Sequence, residues 1–343
     1  MKFLFYISKK YSIPIIQPII KFLDTTDHEY VFFVSRKVRN NFPEVLQKDK
    51  LLNNLDDAVN FTPDFVLVPG NFVDYRIPGV KVQIFHGLGV EKDSHYKIRH
   101  FFDCYCTSGP FVTDRFREMK RKHKYFEVIE TGWPKVDHIL EFQTKQIPEV
   151  PENKKIILFA PTHSSKMESA TELMEVIPNI VKKDDFWLIK FHELMNKDLV
   201  AKFKNQMKSN TLFIDDYDIT PYLHTADVLI SDTSSVLYEF MILDKPVITY
   251  KTRSRFDKGI DICDPEMLRD VLDWSMLNLK THSKNRKKHI SEINPYLDGK
   301  ISERLIKKLI ENKNELEEVK KPLNLFRKLQ ILYHSKFKKG YLR

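Results

Sequence analysis

The sequence predicts an α/β protein built from two doubly wound, mostly parallel-sheet domains. Three observations predict it. Short apolar runs alternate with helical periodicities along most of the chain. The alternation is broken once, by the polar, proline-containing stretch "QTKQIPEVPENKK", and then restarts. Polar residues collect where the apolar runs end, as they do in sheets that bind ligands beyond their strand ends. A length of 343 residues suits two domains of about 150 residues each.

The elements follow in order. Lys2–Ile7 is apolar after its first residue and reads as a buried strand. Tyr11–Leu23 reads as a helix with prolines near its start. Tyr30–Val34, Phe65–Val68, Val80–Phe85 and Phe102–Thr107 are further strands. "SGPFVTDRFREMKRKH" opens on Ser-Gly-Pro and continues as an amphipathic helix. Phe126–Ile129 is a strand ending before Gly132-Trp133-Pro134. After the break come strands at Ile156–Ala160, Phe186–Phe191, Thr211–Ile214, Val228–Ser231 and Val247–Tyr250. Helices are expected around Glu168–Lys182, up to about Met207, and from about Ser234. The expected partition is a first domain over 1–142, a linker over 143–154, a second domain over 155–321 and a tail over 322–343.

Composition narrows the function classes. The net charge of +9 favours anionic partners. Nucleic acid is not expected, because the lysines are dispersed and no aromatic-basic or zinc module appears. Three cysteines make no disulfide framework and point to a reducing, cytoplasmic setting. The side chains of Cys104 and Cys106 are expected to face opposite ways on their strand. "MKFLFYISKKYSIPIIQPIIKFL" is interrupted by lysines and prolines and does not read as a signal peptide. No apolar run reaches the roughly 20 residues that span a bilayer. GxxxxGK[ST], GxGxxG after the first strand, GxSxG and HExxH are all absent. No catalytic metal and no cofactor is expected.

Four strand ends share one polar character: His86-Gly87; Thr162 with His163, Ser164 and Ser165; Lys190 and His192; and Asp232, Thr233, Ser234 and Ser235. The last group sits at a helix start, where free N–H groups and the dipole favour anions. Plain helix capping by the same hydroxyls is the alternative. His86 and His192 read either as hydrogen-bonded structural residues or as a proton acceptor and a charge stabiliser facing each other across a cleft. Gly87 and Gly89 would let a substrate approach the backbone.

Six segments in register resemble the CDP-glycerol glycerophosphotransferase family, which includes teichoic acid primases and polymerases. They are "IFHGLGVEKD", "CTSGPFVTDRF" with "IETGWPKVD", "ILFAPTH", "IKFHE", "ADVLISDTSSVLYEFMILDKPVITY" and "LDGKISERLI". The chain departs from the family pattern with Leu88-Gly89 in place of Thr-Pro, Thr233 in place of tyrosine, and Glu193 in place of proline. The resemblance implies a GT-B-like fold of two facing Rossmann-like domains, the second holding the donor. It implies transfer of glycerol phosphate, or a related alditol phosphate, from a CDP-linked donor to a hydroxyl of a lipid-linked or polymeric glycan acceptor, with release of CMP. A GT-B enzyme using a UDP-linked sugar, transferase or epimerase, is the alternative. On this resemblance His86 is the general base, His192 a phosphate stabiliser, and Thr162, Ser234 and Ser235 bind donor phosphates. Asp232 and Glu239 are candidates for nucleotide or ribose contact, with a solvated helix glutamate as the other reading of Glu239. Gly87 and Gly89 fall on the acceptor side.

The tail "KKPLNLFRKLQILYHSKFKKGYLR" has an apolar helical face flanked by Arg327, Lys328, Lys336, Lys338 and Lys339. Such a helix can lie in an anionic membrane interface on the inner face of the membrane. Docking on the protein's own surface is the alternative.

Overall fold

The computed structural model describes residues 1–40, 42–143, 146–162, 169–207 and 209–337. Twelve named strands form two six-stranded sheets. The first holds β1 (Lys2–Ile7), β2 (Glu29–Val34), β3 (Phe65–Val68), β4 (Val80–Gln83), β5 (Cys104–Thr107) and β6 (Glu127–Glu130) in the order β2-β1-β3-β4-β5-β6. The second holds β7 (Lys155–Phe159), β8 (Asp185–Ile189), β9 (Thr211–Phe213), β10 (Val228–Ser231), β11 (Val247–Tyr250) and β12 (Ile260–Ile262) in the order β12-β11-β10-β7-β8-β9. All ten of these strand pairings are parallel. Parallel strands buried on both faces read as apolar runs, which is why most of these strands were legible. Both sheets are doubly wound, as expected.

In each sheet the direction of winding reverses once. The reversal lies between β1 and β3 in the first sheet and between β7 and β10 in the second. Crevices at such reversals, beyond the strand carboxyl ends, are where open α/β sheets take ligands.

The chain forms two compact units: Met1–Gly87, Tyr96–Glu141 and residues from Ile293 onward in the first, and Leu88–His95 with Phe142–Glu292 in the second. These boundaries differ from those expected. The helix Ile301–Glu311 belongs to the first unit because the Asp137 carboxylate accepts the N–H groups of Ile301 at 3.0 Å and Ser302 at 2.7 Å. Those bonds satisfy orphan donors at the start of the helix. Gly132, at φ +92°, lies against Ile301; a Cβ there would come within 2.8 Å of that side chain. The segments "TGWPKVD" and "DGKISERL" are therefore partners in one structural lock.

Other expectations are corrected locally. The helix expected around Glu168–Lys182 is two short ones, Ala170–Leu173 and Ile177–Ile180. Pro178 lies in the first turn of the second, where its missing N–H is tolerated. Cys104 and Cys106 lie on the same face of β5, with sulfurs 3.9 Å apart. Side chains on a strand alternate with a period of two, so i and i+2 share a face. The expected divergence does not occur. His163, Ser164 and Ser165 lie outside the described residues, as do Lys338 and Lys339; the side chain of Lys336 is likewise not described.

Candidate active site

Strands β7 and β10 flank the reversal of the second sheet, and hydrogen bonds join polar residues at their ends. Past β10, Asp232 is 1% exposed. Its carboxylate accepts the backbone N–H of Thr162 at 3.0 Å and of Ser169 at 2.9 Å. Burial pushes its pKa up to about 6, opposed by those two bonds and by the nearby Lys92 ammonium. Asp232 thus ties the end of β7 to the end of β10.

Thr162 is also buried. Its hydroxyl accepts from Lys92 Nζ at 3.0 Å, which leaves its own proton to donate. Burial lowers the Lys92 pKa, opposed by the Asp232 and Glu91 charges. Lys92 belongs to the short segment Leu88–His95, which packs with the second unit. Glu91 anchors that segment. Its Oε1 accepts from Lys258 Nζ at 2.7 Å, Tyr238 Oη at 2.8 Å and Ser254 Oγ at 3.1 Å. The Lys258 side chain is fully buried. Neither Lys92 nor the Glu91–Lys258 pair was singled out from sequence; "VEKD" after a glycine turn resembles any solvated loop.

Ser234 and Ser235 precede the helix Val236–Ile242, which has seven residues. Both are half-buried. Ser235 is the N-cap, in αR geometry, and its hydroxyl makes no capping bond. For Ser235 the plain capping alternative therefore does not hold. Glu239, on the same helix, is 6% exposed, so it is not a solvated glutamate.

His192 follows β8 and is half-buried. Its Nδ1 accepts the Leu194 N–H at 3.1 Å. A neutral ring held this way carries its proton on Nε2 and presents it as a donor. Lys190 is spent locally, donating to the Ile214 carbonyl at 3.3 Å and the Asp216 carbonyl at 2.5 Å.

In the first unit, His86 follows β4 and is exposed. Its ring lies 5.7 Å from that of Tyr11. The residue before it, Phe85, has φ +57°, a left-handed conformation that costs a bulky side chain energy. Trp133 Nε1 donates to the Phe85 carbonyl at 3.3 Å and so braces that turn. Neither Gly87 nor Gly89 is among the glycines with positive φ. A Cβ on Gly89 would meet His95 Nδ1 and Lys92 Cδ only at 3.9 Å. The chain itself does not require glycine at 89.

A family model described as CDP-Glycerol:Poly(glycerophosphate) glycerophosphotransferase matches residues 86–255. That stretch starts at His86 and contains Lys92, Thr162, His192 and Asp232–Glu239. The chain belongs to the CDP-glycerol glycerophosphotransferase family. A teichoic acid glycerol-phosphate primase of Bacillus spizizenii is 26% identical over 264 residues, covering 66% of this chain and 64% of that protein. The chain thus matches less than two thirds of that relative's length. Among solved structures, the wall teichoic acid polymerase TagF superposes with a TM-score of 0.62 at 14% identity, covering 92% of this chain and 90% of that one. The S. aureus MnaA–UDP co-structure superposes with a TM-score of 0.63 at 15% identity, covering 94% of this chain and 99% of that one. At these identities the likeness shows the fold, which is of the GT-B type.

Proposed function

We propose that this chain transfers an alditol phosphate, in the first instance glycerol phosphate, from a CDP-linked donor to a hydroxyl of a teichoic-acid-like acceptor. The observation that carries the reading is the joined pair of strand ends at the second sheet's reversal. There Asp232, Thr162 and Lys92 form one hydrogen-bonded group inside the family-matched stretch.

The roles follow from the local chemistry. The acceptor oxygen attacks the donor's distal phosphorus, the bond from that phosphorus to the bridging oxygen breaks, and CMP leaves with the electron pair. His86, carried by the first unit, takes the acceptor's proton. Nε2–H of His192 and the Ser234 and Ser235 hydroxyls stabilise the phosphate charge. Thr162 donates its remaining proton to a phosphate oxygen, and Lys92 adds a positive charge beside it. Glu239 and Asp232 serve the nucleotide side by holding the loop and the ribose. Gly87 and Gly89 lie on the acceptor side. A lipid-linked acceptor would place the enzyme peripherally on the inner membrane face.

The test is CMP release from CDP-glycerol and from CDP-ribitol with a glycan or lipid-linked acceptor. CMP from either donor supports the reading and identifies the alditol. Turnover of a UDP-linked sugar, with UMP or UDP released or the sugar epimerised, would overturn it in favour of a UDP-linked donor.

A further inference from the structure

The segment Leu88–His95 packs with the second unit and is built of turns. The Lys92 N–H donates to the Gly89 carbonyl at 3.0 Å, and the His95 N–H to the Lys92 carbonyl at 2.9 Å. Both bonds are internal to the segment, so neither ties it to the sheet. Two adjacent side chains do make that connection. Glu91 reaches a buried cluster, while Lys92 reaches the Thr162 hydroxyl.

The cluster gathers two further elements on one carboxylate oxygen. Tyr238 comes from the helix Val236–Ile242, which starts directly after Ser234 and Ser235. Ser254 and Lys258 come from the loop that follows β11. Tyr238 is 1% exposed, and the Lys258 ammonium lies 5.5 Å from the centre of its ring. Lys258 also donates to Thr252 Oγ1 at 3.3 Å and to the Ser254 carbonyl at 3.1 Å. With Glu91, its three N–H bonds thus meet three acceptors. A buried ion pair satisfied in this way resists displacement, because movement would leave a charge unpaired away from water.

The loop after β11 is itself braced on both sides. The Asp261 carboxylate accepts from Thr249 Oγ1 at 2.6 Å and from the Thr252 N–H at 3.0 Å. Arg255 donates to Glu292 at 2.6 Å and to His289 Nδ1 at 2.8 Å, and His289 Nε2 donates to Asp257 at 2.8 Å. Lys251 and Arg255 hold φ of +50° and +54°, conformations that persist only where the surroundings fix them. A Cβ on Gly259 would stand 1.9 Å from the Val247 carbonyl oxygen, so glycine lets the chain after Lys258 lie against β11. The loop is a fixed platform for Glu91.

We propose that Tyr238, Glu91 and Lys258 are positioning residues for the donor: they hold Lys92 at Thr162, where its ammonium group meets a donor phosphate. They act through Lys92 and do not touch the donor themselves. The inference rests on the donor reading of the Thr162–Lys92 pair given above and deepens it.

The experiment is a double-mutant cycle on the full chain, read as affinity for CDP-glycerol and for CDP-ribitol by calorimetry. Tyr238→Phe keeps the ring and removes the bond to Glu91. It should weaken donor binding about fivefold, within the range of one net hydrogen bond. In a Lys92→Ala background it should have no further effect, because a group that acts through Lys92 is silent once Lys92 is gone. Losses that add in the double variant, or an unchanged affinity in Tyr238→Phe, overturn the proposal. Ser254→Ala removes a second bond to the same oxygen and replaces Tyr238→Phe in the cycle if that variant fails to fold. Hydrogen exchange of residues 88–95 is followed in parallel without nucleotide. Faster exchange there in either variant, with the β-strands unchanged, supports the anchor, and unchanged exchange in both overturns it. Wild type that binds neither donor, while exchange at 88–95 quickens in the variants, refutes the donor reading and keeps the anchor. Donor binding with additive losses keeps the donor reading and refutes the positioning role.

Discussion

The two sheets reverse their winding in the same way but close the resulting crevices with different chemistry. In the first sheet the bonds described at the ends of β1 and β3 are made by neutral groups. Ser35 Oγ donates to the Ser8 carbonyl at 3.0 Å, and Gln83 Nε2 donates to the Gly70 carbonyl at 3.1 Å and to Asn71 Oδ1 at 2.9 Å. A Cβ on Gly70 would press on Ser8 Oγ at 3.2 Å. In the second sheet a buried carboxylate, a hydroxyl and an ammonium group close the crevice. Topology selects where a ligand can sit in either unit, and the strand-end side chains select which ligand. On the function proposed above, the charged reversal would take the donor and the amide and hydroxyl groups the acceptor.

The comparison is broken most severely by removing the charge that anchors the Leu88–His95 segment. Lys258→Met leaves Glu91 buried without its counter-charge, a change that typically costs about 3–5 kcal/mol. Urea unfolding should show that loss, and Glu91→Gln with Lys258→Met should recover part of it. A change below about 1 kcal/mol in the single variant would mean that the pair is not a structural anchor.

His86→Ala tests the first unit's contribution to chemistry. Turnover should fall by about a hundredfold or more with the thermal midpoint unchanged, the usual size of a general-base contribution. Near-normal turnover with a verified donor and acceptor would remove His86 from that role.

Asp232 sharpens the contrast through pH. Its folded pKa is raised, to about 6 from 3.8, so between these values the native state holds a proton that the unfolded chain has released. Its contribution therefore makes stability fall as pH rises through that window, by roughly 3 kcal/mol at most. Asp232→Asn should remove this part of the slope. Parallel pH–stability curves for wild type and variant would contradict the raised pKa.

The smallest effect is expected from Ser234→Ala with Ser235→Ala. Loss of two hydroxyl donors should weaken CDP-donor affinity by about tenfold, at about 0.5–1.5 kcal/mol each. A donor complex with its phosphates more than one helical turn from Ser235 would refute the assignment.

Much of this fold was legible because most of its parallel strands are buried on both faces and largely apolar. Lys2–Ile7, Phe65–Val68, Val228–Ser231 and Val247–Tyr250 are strands over the residues expected. Ile260–Ile262 was not anticipated, since three residues with an aspartate at the centre carry no periodic signal. The strand-end residues were legible as polar breaks after apolar runs. Their partners were not, because contacts such as Glu91–Lys258 span 167 residues and leave no local pattern. The role of Asp137 was hidden for the same reason: its hydrogen bonds run to Ile301 and Ser302.

The chain passes between the two units four times, and this bears on any attempt to divide it. A cut in the proline-containing stretch near 143–154 would put Glu91 and Lys258 on different polypeptides, and likewise Asp137 and Ile301. Each half would then expose or strand a charged group that the intact chain buries. Neither lobe can be obtained as a self-sufficient fragment by a single truncation. A two-fragment preparation should recover native structure only when both pieces refold together, so complementation assays, rather than isolated-domain expression, are the way to study each lobe.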